Sequence, residues 1–165
     1  MNVRKKIKVL IVDDSLIFRE TLARGISSDP GIEVVGTASD PYMARDKIIQ
    51  YEPDVMTCDV EMPKMNGIEF LRRLMPQYPL PVIVVSTVSE AVFDAMNVGA
   101  VDFVTKPDVQ SVKSVEAFIN ELIIKIKIAS TANVSHWKSD NAAQKIISST
   151  STDSSNRIIA IGAST

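Results

Sequence analysis

Five short apolar runs, each followed by a longer stretch of helical period, constrain this chain more than any other feature of its sequence. The runs are IKVLIV (7–12), IEVVGTA (32–38), DVMTC (54–58), VIVVS (82–86) and VDFVT (101–105). Several are apolar on both faces, as strands must be when helices cover both sides of a parallel sheet. Between them, SLIFRETLARGISS (15–28), PYMARDKIIQY (41–51), NGIEFLRRLM (66–75) and SEAVFDAMNV (89–98) read as helices. Asp40 stands at an N-cap with Pro41 at the first helical position, and Gly99 closes the fourth helix. A last helix from about Ser111 puts Val112, Val115, Ile119, Leu122 and Ile126 on one stripe. Five β-α units in strict alternation imply a single parallel sheet with right-handed crossovers, a doubly wound α/β domain that ends near residue 128.

Composition sets the outer bounds. At 165 residues, 45% hydrophobic and 23% charged, the chain can bury one real core and carry something smaller beside it. A net charge of −2 supplies no basic field for a phosphate backbone, so nucleic acid is not an expected partner. The single cysteine, Cys58, has no disulfide partner within the chain and is expected to fill core space. The basic start is followed by an apolar run broken by Asp13 and Asp14, too short for a signal segment, and no stretch reaches membrane-spanning length. The expectation is a soluble cytoplasmic protein without membrane insertion. From Ala129 to Asn156, Ser, Thr, Asn and Asp dominate and apolar period is lost except around AAQKII, so this stretch reads as a linker. The only histidine, His136, falls there without a cysteine or second histidine nearby and reads as a solvated linker residue.

Open α/β sheets gather ligands at the carboxyl ends of their strands, and that is where the polar residues of this chain concentrate. Asp13 and Asp14 follow the first strand, Asp59 the third, Ser86 and Thr87 the fourth, and Lys106-Pro107 the fifth. Singly, each has a plainer use: acids cap helices, a serine opens a loop, Lys-Pro makes a turn. Together they do not, because three carboxylates drawn into one place repel and protonate unless a cation neutralises them. Mg²⁺, hard and content to keep some of its waters, suits such a set. Asp59, alone at the end of the central strand with the loop VEMPKMNG able to fold back over it, is the best candidate nucleophile toward a phosphoryl group. Lys106 and a hydroxyl from Ser86 would then balance charge on the phosphoryl oxygens.

The segments VLIVDDS, DVEMPKMNG, VIVVST and VDFVTKP, in this order and on these strand ends, resemble the receiver domain of two-component response regulators over residues 7 to about 128. The resemblance implies a flavodoxin-like five-stranded sheet of order 2-1-3-4-5. It makes Asp59 the phosphoacceptor, served by a chemotaxis histidine kinase. Asp14, Asp59 and the main-chain carbonyl of Glu61 would ligate Mg²⁺, with Asp13 acting through water. Ser86 takes the place of the switch hydroxyl, Phe103 that of the switch aromatic, and Lys106 that of the phosphate-binding lysine. Two departures stand out: the segment from Ser86 to Gly99 is short, so an abbreviated fourth helix is expected, and Thr87 replaces a residue that is usually small. The branched Thr87 is expected to narrow phosphoryl access.

The last nine residues, RIIAIGAST, form an apolar run that ends in Gly162-Ala163-Ser164. A receiver, a Ser/Thr-rich linker and then IIAIGAST resemble the chemotaxis protein-glutamate methylesterase family, in which Ser164 matches the nucleophile at a strand-to-helix turn. The resemblance implies regulation of an esterase that demethylates glutamates, and deamidates glutamines, of chemoreceptors. On this reading residues 157–165 begin a truncated catalytic domain, and Ser164 is inert here for want of the histidine and aspartate that would activate it. Two other classes compete: a stand-alone or DNA-binding receiver, which a basic helical domain would support, and an aspartyl phosphatase, whose Asp-x-Asp pair the DDS sequence lacks.

Overall fold

The computed structural model describes residues 5–62, 66–87, 89–107 and 112–133. Strands and helices alternate throughout: β1 (Ile7–Val12), α1 (Leu16–Ser27), β2 (Ile32–Ala38), α2 (Pro41–Tyr51), β3 (Val55–Asp59), α3 (Gly67–Leu74), β4 (Val82–Ser86), α4 (Ser89–Asn97), β5 (Asp102–Thr105) and α5 (Val112–Ile128). The strands form one sheet in the order β2-β1-β3-β4-β5, and every neighbouring pair is parallel. β1, β3 and β4 are thus flanked by other strands, and β3 and β4 are buried at every position, which is why their sequences are apolar runs without alternation.

Local chemistry sets the helix ends. Ser15 caps α1 by accepting from the Phe18 amide, and Asp40 caps α2 by accepting from the Tyr42 and Met43 amides, with Pro41 behind it as expected. Asn66 caps α3 through the Ile68 amide. α4 has nine residues, in keeping with the shortened segment, and Gly99 follows it at φ +117°, where a side chain would be strained.

One core layer joins β1, β3, β4 and β5 to α1 and α5 through Val9, Ile11, Val55, Ile83, Val85, Val104, Phe18, Leu22, Phe118 and Leu122. The stripe foreseen on α5 is in place: Ile119, Leu122 and Ile126 are buried and Val115 packs against them, while the Val112 side chain lies outside the described residues. α1 and α5 come close at Gly25, where a Cβ would sit 2.8 Å from Ile119 Cδ1. The chain does not leave its helix at residue 128. A π-helical turn, Ala129–Asn133, carries on from α5, and Ala129 is buried in the core layer. Among the described residues no helix is long and apolar enough to cross a membrane.

Candidate functional site

The parallel register decides which side chains meet. Val12 lies opposite Cys58, so the residues that follow, Asp13 and Asp59, emerge side by side from β1 and β3. Asp59 is opposite Val85, and Ser86 is opposite Thr105, which brings the end of β4 against the turn that carries Lys106. The Lys106 amide donates to the Ser86 carbonyl at 3.0 Å and fixes that turn.

Asp13, Asp14 and Asp59 each offer a carboxylate oxygen within 4.8 Å of the others. Asp13 and Asp59 are buried, and Asp14 is exposed. The Lys106 ammonium bridges the buried pair, 2.9 Å from Asp13 Oδ2 and 3.3 Å from Asp59 Oδ2. The other oxygens of that pair accept backbone amides: Asp13 Oδ1 from Ser15 at 2.8 Å and Asp59 Oδ1 from Glu61 at 3.0 Å. One ammonium stands against three carboxylates, an imbalance that a hard divalent cation with oxygen ligands would correct.

The electrostatics carry the same mark. Burial pushes the Asp59 carboxyl up to about 6, and the Asp13 charge adds to the rise against the opposing Glu61 amide and Lys106. For Lys106, burial works against the charge, yet its hydrogen bond and ion pair with Asp13, joined by Asp59, hold the ammonium above its ordinary range. Burial also pushes up the Cys58 thiol, which packs in the core as expected.

Of the residues singled out in the sequence, Asp13, Asp14, Asp59 and Lys106 converge on this cluster. Ser86 ends β4 beside it, 3% exposed. Thr87 is exposed, and its hydroxyl donates to Glu61 Oε1 at 3.1 Å, a bridge between the loops after β3 and β4. Phe103 lies three residues before Lys106 on β5 with its ring turned to solvent, 40% exposed. His136 and Ser164 lie outside the described residues.

Three supporting residues escape sequence reasoning. The Lys106 ammonium sits 4.6 Å over the Phe18 ring, which itself packs on Phe118 at 5.7 Å. Arg19 Nη1 donates to the Asp13 carbonyl at 2.7 Å. At Gly67 a Cβ would come within 2.5 Å of the Asp59 carbonyl oxygen, so only glycine lets α3 start against the end of β3. Phe18 and Arg19 read as ordinary helix positions, and the asparagine-glycine pair reads as a helix start. None carries a signal of its own without the sheet register.

A doubly wound sheet of order 2-1-3-4-5 with an acidic cluster at its carboxyl rim defines the flavodoxin-like class of α/β domains. The chain belongs to the response regulator receiver domain family, whose model matches residues 9–116, and its relatives place it with the receivers of chemotaxis methylesterases. It is 60% identical over 161 residues to the protein-glutamate methylesterase/protein-glutamine glutaminase 2 of Syntrophomonas wolfei, covering 98% of this chain and 47% of that protein. The response regulator domain of Thermotoga maritima CheB is 41% identical, with a TM-score of 0.72 over 78% of this chain and 99% of that one. A chain in the solved complex of the P1 domain of CheA3 with CheY6 from R. sphaeroides matches at 30% identity and TM-score 0.65, covering 78% of this chain and 99% of its own. The chain spans about half the length of the curated relatives it matches.

Proposed function

We propose that this chain is the phosphorylation-controlled receiver of a chemotaxis methylesterase, with Asp59 as phosphoacceptor. The observation that carries the reading is the Lys106 bridge between the buried Asp13 and Asp59 carboxylates, completed by Asp14, at the carboxyl rim of the sheet.

In this reading an Asp59 oxygen forms a bond to phosphorus while the phosphorus–nitrogen bond of a phosphohistidine donor breaks, and the departing imidazole takes a proton. Asp13, Asp14, Asp59 and the Glu61 main-chain carbonyl would hold Mg²⁺, which when bound offsets charge on the phosphoryl oxygens. The fit rests on the donor set, three carboxylates opposed by one ammonium. Lys106 already reaches Asp59 and keeps its proton, so it serves as a fixed positive charge for the phosphoryl group. Ser86 offers a hydroxyl to a phosphoryl oxygen. Thr87, held to Glu61 across the mouth, limits the approach of water. Phe103 is the aromatic that turns inward when Ser86 engages, shifting the population of the face made by α4, β5 and α5.

The donor is a chemotaxis histidine kinase in the cytoplasm. The solved complex of the P1 domain of CheA3 with CheY6, one chain of which resembles this one, supports a partner of that kind. The receiver is followed by a linker to residue 156, and residues 157–165 open the esterase domain with Ser164 as its nucleophile. The output is control of demethylation and deamidation of chemoreceptor side chains, supported by the named relatives.

Intact mass measured after incubation with acetyl phosphate and Mg²⁺ tests the assignment. One phosphoryl adduct is expected on the native chain and none on Asp59→Asn. An adduct that persists in the variant places the acceptor elsewhere.

A further inference from the structure

Lys125 stands where α5 meets β5. Its Nζ donates to the Phe103 carbonyl at 2.7 Å and to Asp102 Oδ1 at 3.3 Å, and pairs with Glu121 Oε2 at 3.2 Å. The same ammonium lies 5.2 Å from the centroid of the Phe103 ring. The Phe103 amide in turn donates to Asp102 Oδ1 at 2.8 Å. The backbone of Phe103 is therefore tied down at both its amide and its carbonyl, and side-chain rotation is the freedom that remains.

From this arrangement we propose that Lys125 is a positioning residue that holds the Phe103 ring outward and so sets the resting population of the receiver's switch. The proposal rests on the reading of Phe103 as the switch aromatic. A phenyl ring left partly in water on a strand lacks the burial that ordinarily fixes such a ring. Here it faces the one cation described beside it, and the negative face of a ring attracts an ammonium. When the ring turns inward, the ammonium keeps its three oxygen partners and loses the ring alone. The bias on the switch that Lys125 supplies is thus the ring contact, which corresponds to about a two- to fivefold difference in population. A receiver without this contact spends more time ring-inward before any phosphoryl group arrives. It also binds a phosphoryl mimic more tightly by the same factor, because the competent fraction is larger.

The test uses the full chain with 4-fluorophenylalanine at its five phenylalanines, the Phe103 resonance being assigned by Phe103→Leu. Beryllofluoride with Mg²⁺ marks the inward position. In Lys125→Gln, which keeps a donor for the Phe103 carbonyl but no charge, the Phe103 resonance of the mimic-free protein should move toward the inward position. Beryllofluoride affinity should rise about two- to fivefold. Lys125→Arg, which restores a cation over the ring, should return both quantities to those of the native chain, an outcome that a merely structural role for Lys125 does not produce. If beryllofluoride moves the native Phe103 resonance while Lys125→Gln matches the native chain in position and affinity, the lock is wrong and the switch reading stands. If beryllofluoride leaves the native resonance where it was, Phe103 is not the switch and the lock falls with it.

Discussion

At the scale of single residues, the cost of building the site is concentrated in Asp59. Burial pushes its carboxyl up to about 6, whereas an unfolded chain holds an aspartate near 3.9. Between those values the folded protein binds the proton that the unfolded chain has released, so stability falls as pH rises through that window and the loss is complete above it. The Asp59 charge therefore opposes folding at neutral pH when no cation is bound. Asp59→Asn should stabilise the metal-free protein at pH 7.5 by about 1–3 kcal/mol, and the gain should vanish near pH 4, where the native residue is already neutral. Urea unfolding in chelator at the two pH values measures it. A gain of equal size at both would mean that packing, not charge, separates the variants. With the proposed Mg²⁺ site in place, millimolar Mg²⁺ should narrow the difference at pH 7.5, because the ion would bind the folded native site in preference to the unfolded chain.

Among the elements, what the sequence made legible was what repeats along it. The central strands could be read because burial on both faces makes them continuous apolar runs, and the helices because Asp40-Pro41 and Gly99 punctuate them in ways that backbone chemistry dictates. Asp13, Asp59 and Lys106 could be read as one site because parallel strands deliver their carboxyl ends to one rim. The contacts made across that rim were not legible. Phe18 under Lys106 and Thr87 on Glu61 join elements distant in sequence, and Arg19 reaches the Asp13 carbonyl only because α1 folds back beside the end of β1; no local pattern distinguishes them. Gly67 shows the same limit: its residue type suggests a turn, but its use is the close approach of α3 to β3, with its amide donating to the Val60 carbonyl at 3.0 Å. Gly67→Ala should therefore cost about 1–3 kcal/mol in urea unfolding, because the methyl group meets backbone atoms that cannot rotate away. It should also weaken beryllofluoride binding, since the atoms pushed belong to Asp59 and Val60. Native stability in this variant would mean that α3 can slide off β3 at no cost.

For the molecule as a whole, the site and the helical face behind it share one core. Lys106 rests on Phe18, Phe18 packs on Phe118, and α5 continues from Phe118 through Leu122 and Ile126 to Ala129 beneath the sheet. The loss of apolar period after residue 128 made that residue look like the domain's end, since a small residue followed by Ser, Thr and Ala offers no stripe to read. Tertiary packing overrides the composition: Ala129 is 2% exposed, and the hydroxyls of Ser130 and Thr131 both donate to the Lys127 carbonyl. Lys127 is itself paired with Asp29 at 2.8 Å, which ties this last turn to the loop before β2 and holds the Asp29 carboxyl below its usual range. A chain cut after Ile128 uncovers the Ala129 position, frees the Lys127 carbonyl and sets a new carboxylate at the negative end of the helix. A chain cut after Val134 keeps all three. The shorter fragment should be less stable than the longer by about 1–2 kcal/mol, with an unchanged denaturant slope, since each loss is local to the helix end. Paired urea titrations of the two fragments decide it. Equal midpoints would show that the receiver's core closes at Ile128 and that the terminal turn contributes nothing to it.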